Sequence, residues 1–328
     1  MLIMTTLFSL AVAVQGPSRV EAFLRERLKF SDREVRTVLE GAPVVKKLEG
    51  ATGEEIALVG AVRLAVLAES AIARFSKPGG RQARIIQGGE FSPSPAASDL
   101  VTFRVPPGDR ALLRSCRIGK CVLKLPSSAI DSLGRIDWRT PAADSLAAAV
   151  WRDWLIQYVR GYLERGNAAL VVYGDRETPL PLHTGFHALL QGSPYLFAAL
   201  PALHHYLDEF PARTLRGGED ALYWSTADVG LRPITTVTHA TVYRPAAATA
   251  VAGVIALKQI YASHYFHAAL TLISVVADST SAGPGAYVIY LERLLFDKKL
   301  GGLVRREAER RLREDLEARL RTRRSPDR

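Results

Sequence analysis

The stretch "VAGVIALKQIYASHYFHAALTLISVVAD" (Val251–Asp278) decides how this chain is read. It is rich in β-branched and aromatic residues, and Lys258, His264 and His267 break it long before it could cross a bilayer. At a two-residue period Ile255, Leu257, Gln259 and Tyr261 fall on one side, and Ala256, Lys258 and Ile260 on the other. "ITTVTHATVYRP" (Ile234–Pro245) precedes it and "GAYVIYLERLLFD" (Gly285–Asp297) follows, after the turn-rich "STSAGPG". Four β-rich runs joined this closely most simply form an antiparallel meander.

Upstream, "FSDREVRTVLEG" reads as a helix with Ser31 as cap, Glu34 completing a capping box and Gly41 ending the turn. "PVVKKLE", "EIALVGAVRLAV", "RQARIIQGGEFS" and "DLVTFRVPPGD" read as strands, with "LAESAIARFSKPGG" as a short helix among them. From Pro126 the texture turns helical. "RTPAADSLAAAVWRDWLIQYVRGYLERGN" is the strongest helix, with Thr140 as cap, Pro141 at the first position and Gly166 at the end. Leu146, Val150, Trp154 and Tyr158 mark its apolar stripe, widened by Trp151 and Leu155. The chain ends in "GGLVRREAERRLREDLEARLRTRR", with Leu300, Val304, Ala308, Leu312, Leu316 and Leu320 at four-residue spacing. The expected fold class is α+β. Residues 14–126 and 214–328 form an antiparallel-sheet domain with a long C-terminal amphipathic helix, and residues 127–213 form a large, mainly helical insertion.

Leu2–Val14 is uncharged and mostly apolar, too short to span a bilayer, and Ala11-x-Ala13 precedes the helix-breaking Gln15-Gly16-Pro17. That layout predicts a signal peptide over residues 1–13 and a bacterial periplasmic or secreted protein. The two cysteines, in "LLRSCRIGKCVLKLP" (Leu112–Pro126), support the same compartment. Cys116 and Cys121 have four residues between them, where a C-x-x-C redox pair has two, and no histidine follows within sixty residues to complete a metal site. A structural disulfide across a hairpin fits best, with Gly119 supplying a positive φ; two free thiols are the alternative.

The net charge of +10 would suit an acidic partner, but 34 of the 43 basic residues are arginine and acidic residues are interspersed. No nucleic-acid partner is expected. Peripheral membrane contact through the basic C-terminal helix is the remaining electrostatic reading. Walker, G-x-G-x-x-G, G-x-S-x-G and S-x-x-K patterns are absent, so no cofactor is expected and no nucleophile is marked. His183 and His187 share a helix face, but Thr184 stands where a zinc protease has its glutamate. With His204 or His205 they form the least unlikely metal trio, and no metal is expected.

The order of elements resembles the START-like helix-grip superfamily, in "EIALVGAVRLAVLAESAIARF" and in the run from Gly253 to the terminal helix. The resemblance implies a curved antiparallel sheet gripping a C-terminal helix around an apolar cavity. Gln259, Tyr261, Tyr287 and Ile289 would line it, the polar atoms orienting a head group. The expected function is therefore an exported soluble protein that binds a lipid or other apolar small molecule between sheet and helix. The alternatives are an exported hydrolase using the histidines of the helical block, and an envelope-associated interaction protein.

Overall fold

A computed structural model describes residues 19–48, 52–76, 84–194, 199–229, 232–246, 251–278 and 285–321. The expected signal segment, residues 1–13, lies outside them. Helices α1 (Arg19–Glu26) and α2 (Asp32–Leu39) lead into β1 (Val44–Lys47) and β2 (Glu55–Leu64). Helix α3 (Ala68–Phe75) and β3 (Arg84–Phe91) follow. The middle of the chain holds α4 (Pro107–Ser115), α5 (Ser127–Gly134), α6 (Ala143–Arg165), the short pair β4 (Val172–Tyr173) and β5 (Leu180–Pro181), α7 (Leu182–Gln191) and α8 (Pro201–Glu209). Strands β6 (Gly218–Asp228), β7 (Ile234–Tyr243), β8 (Val251–Ala262), β9 (Phe266–Asp278) and β10 (Gly285–Phe296) then run in succession to α9 (Gly302–Leu320).

Eight strands make one open sheet in the order β1-β2-β10-β9-β8-β7-β6-β3, and every neighbouring pair is antiparallel. The meander is as expected but has five strands. The extra one, β6, holds "GEDALYWSTAD", whose polar start and partly exposed pattern hide its alternation. Helices cover both faces, so the architecture is a mixed α/β sheet without a closed barrel.

The two layers differ. Over one face, α3 and α9 pack on Ile255, Ile273, Val288 and Tyr290. Helix α9 comes close because β2 carries Gly60: a Cβ there would sit 2.6 Å from Leu320 Cδ1. The expected stripe of α9 holds except at Val304, with Leu300, Ala308 and Leu312 partly buried against the same core. Leu316 and Leu320 are fully buried, whereas Val304 is exposed beyond the sheet. Two of its arginines pair within the helix, Arg310 with Glu307 and Glu314, and Arg319 with Asp315. Over the opposite face lie the helices of the middle block, sharing one core with α1, α2 and α4.

Three local expectations change. "DLVTFRVPPGD" is not a strand: a 3-10 turn (Ala97–Leu100) is held by Asp99, which accepts the Ser92 and Ala96 amides, and Pro107 then opens α4. The cysteine stretch begins as the end of α4, so the hairpin shrinks to one bridge, Arg117 with Lys120, around Gly119 at φ +77°. Cys116 and Cys121 are bonded across it. Helix α6 starts at Ala143 because the Thr140 hydroxyl donates to Asp137 O instead of capping it. Its buried stripe runs through Ala147, Trp151, Leu155, Val159 and Tyr162, while Leu146 is exposed.

Candidate functional site

A strand inside a covered sheet should be apolar on both faces, and β8 departs from that at Lys258. The side chain is 1% exposed and projects from the same face as Val254, Ala256 and Ile260 into the middle helices. Its ammonium stands 4.0 Å from the ring centre of Phe186 on α7 and 5.3 Å from that of Tyr162 on α6. It donates to Asn167 Oδ1. Burial pushes Lys258 well below the usual lysine range, and only Asp208, acting at longer range, pulls it back.

Asn167 is placed by backbone geometry. Helix α6 ends at Gly166, at φ +55°, where a Cβ would lie 1.7 Å from Phe210 O, so glycine alone fits. The chain turns there and delivers Asn167 to the end of α8. Its amide nitrogen donates to Leu207 O at 3.0 Å and Asp208 O at 2.5 Å, satisfying carbonyls that the helix leaves open. Those two bonds fix the amide, which turns Oδ1 toward Lys258.

On the outer side of this wall is a cavity of about 370 Å³, lined by Asn167, Ala168, Leu170, His183, Phe186, His187 and Asp208. Four-residue spacing on α7 brings His183 and His187 to one rim. His187 Nδ1 lies 3.4 Å from Asp208 Oδ1. His204 is buried nearby on α8; burial lowers its pKa, opposed by Asp208. Phe186 and Leu170 supply apolar wall, and Asn167 and Phe186 are the residues shared with Lys258. Among the described residues no group of three or more His, Cys, Asp or Glu side chains is arranged to hold a metal.

Behind Lys258 a hydrogen-bonded chain leads back to the surface. The Tyr162 hydroxyl meets His239 Nδ1 at 2.9 Å, and His239 Nε2 meets Asp220 Oδ1 at 2.9 Å. Tyr206 and Thr241 donate to the same carboxylate at 2.5 and 2.7 Å. With Asp220 accepting, His239 carries its proton on Nε2, and its Nδ1 accepts a hydrogen bond from the Tyr162 hydroxyl. Burial pushes His239 down, against the pull of Asp220. Burial raises the Asp220 carboxyl, but the bonds from His239, Tyr206 and Thr241 outweigh it and hold it below its usual range.

The four residues singled out in the sequence do not meet. A bulge in β8 shifts the register between Gln259 and Tyr261, so Tyr261 joins Ile260 on the middle-helix side. Gln259 stays opposite Ala269, on the α3–α9 side. Tyr287 and Ile289 share the face of Tyr261, but Gln259 is level with Leu294 through Ala269, seven residues along β10 from Tyr287. At about 3.3 Å per residue that is roughly 23 Å. All four are buried, and the Tyr261 hydroxyl makes no hydrogen bond, with the Trp151 indole beside it. Sequence reading placed Lys258 on the strand but gave it no role. Its signal was a lone cation in an apolar β run.

Two further buried polar pairs, His264 with Asp109 at 3.0 Å and Lys124 with Asp297 at 3.3 Å, tie the β8–β9 turn and the segment after the disulfide into the core. No known family model and no curated protein matches this chain.

Proposed function

We propose that this chain is an exported protein that binds a small molecule with an apolar body and a polar end, in the cavity between α7, α8 and the end of α6. The observation that carries the reading is the lining of that cavity. Leu170 and Phe186 offer apolar wall, while Asn167, His183, His187 and Asp208 converge as donors and acceptors, the usual make-up of a small-molecule site. Export rests on the apolar Leu2–Val14 run with its Ala-x-Ala site and on the Cys116–Cys121 bond. The helix-grip likeness supports a ligand-binding role through its order of elements, a strand meander followed by a helix laid over the sheet. Its expected cavity, between sheet and terminal helix, is where Leu316 and Leu320 close on Gly60. The reading therefore moves the ligand to the opposite face.

Native mass spectrometry of the full chain purified from a bacterial periplasm tests this. A co-purifying small molecule is expected in the wild type and should be lost in His187→Trp, whose indole fills the cavity from its exposed rim. Equal retention in both proteins, or binding of nothing from a periplasmic extract, would overturn it.

A further inference from the structure

Among the described residues two lysines are buried, and they are held differently. Lys124 has Asp297 at 3.3 Å, with Asp175 and Arg176 close by, and its ammonium covers the Tyr173 ring at 4.1 Å. It is a paired internal ion. Lys258 has no carboxylate among the described residues in ion-pair reach. The groups facing it are Phe186 from α7, Tyr162 from α6, the Asn167 amide, and, farther off, His239 from β7 and Asp208 from α8.

We propose that the cavity receives a small aldehyde or ketone and that Lys258 is the amine that captures it as an imine. The inference rests on the small-molecule reading of the cavity. Its geometric basis is that Lys258 Nζ stands directly behind Asn167 and Phe186, the two side chains that wall the cavity on its inner side. Reaching it requires the Asn167 amide to release Leu207 O and Asp208 O and swing aside. A desolvated lysine without a counter-ion is shifted toward the free amine, the form that attacks a carbonyl carbon. The Nζ lone pair adds to that carbon while the carbonyl oxygen takes up a proton. The resulting carbinolamine loses its hydroxyl as water and leaves a C=N bond, so the step exchanges water for the imine with no oxidation or reduction. The protons that reach the departing oxygen come from Nζ itself, which gives up both as the C=N bond forms.

The test uses the full chain with butanal and sodium cyanoborohydride at neutral pH, which converts an imine into a stable alkyl-lysine located by peptide mass mapping. The exposed Lys29, Lys120 and Lys299 serve as internal references. Lys258 should be alkylated at least about tenfold faster than these, the factor that one pKa unit of extra free amine provides. His187→Trp should remove that advantage and leave the reference lysines unchanged. Alkylation confined to the surface lysines, or an unchanged rate at Lys258 in His187→Trp, would overturn the proposal. If Lys258→Met still carries the co-purifying molecule that His187→Trp loses, the imine fails and the cavity reading stands.

Discussion

On the face covered by α3 and α9 the sheet shows Ile255, Ile273, Val288 and Tyr290 to Leu316 and Leu320. On the other face neighbouring positions of the same strands show Lys258, His239 and Arg293 to α6 and α7. The first face is made mainly by area, since each buried aliphatic side chain contributes about 1.5–3 kcal/mol and needs no partner, with Gln259 and the Tyr290 hydroxyl, which accepts from Arg319, as polar exceptions. The second buries charged groups that need partners, because an unpaired polar atom costs about 1–3 kcal/mol, and it still leaves the Tyr261 hydroxyl without one. Arg293 shows the requirement: its guanidinium holds Glu55 at 2.5 and 3.0 Å and also reaches Leu189 O and Ser193. The polar face is thus the less economical way to build a core, and it is the one backing a cavity.

The contrast is broken most forcefully at Arg293. Arg293→Ala strands a buried Glu55 carboxylate and should cost about 3–5 kcal/mol in urea unfolding, whereas the paired change Arg293→Met with Glu55→Leu should recover most of it. On the apolar face Leu316→Ala should cost about 2–5 kcal/mol, with no partner whose removal restores it. A rescue at Leu316, or none at Arg293, would show that the faces do not differ as described.

How much of this contrast is legible in the sequence depends on which face is asked about. The meander, the capping box at Ser31 and the buried end of α9 follow from periodicity and short-range chemistry. The polar face does not, because its contacts join residues far apart, Glu55 with Arg293 and Asn167 with Lys258. One bulged residue at Ile260 also reverses the side on which Tyr261 falls, and no local pattern announces it. Spacing points to the disulfide but not to its turn, which is shorter than a hairpin because Leu112–Ser115 carries helix rather than strand.

Lys258→Met sharpens the comparison from the opposite direction. Removing a buried cation without a counter-ion should stabilise the protein by about 1–3 kcal/mol at neutral pH. The native lysine is depressed, so the unfolded chain binds the extra proton, and wild-type stability rises with pH toward the ordinary lysine value. The advantage of Lys258→Met should therefore shrink between neutral pH and about pH 10.4. The smallest effect belongs to His239, also depressed by burial. Its contribution is present above about pH 6.5 and is lost as pH falls, at no more than about 1.4 kcal/mol per pH unit. Urea midpoints between pH 7 and 5 should fall in the wild type and flatten in His239→Phe. An equal slope in both would remove His239 from the account.

The place of β10 has a consequence for biosynthesis. It lies between β2 and β9, pairing Leu64 with Ala286 across roughly 220 intervening residues. While the chain is being made, β2 therefore waits with one flank bare and most of its side chains apolar. An unpaired apolar strand invites the wrong neighbour. Of the described strands β10 is the last made, and it is the one that covers β2, so the sheet stays open until β10 exists. If the chain is exported as proposed, translocation would use this open state, and a holdase would have to shield the bare flank of β2 for the same interval.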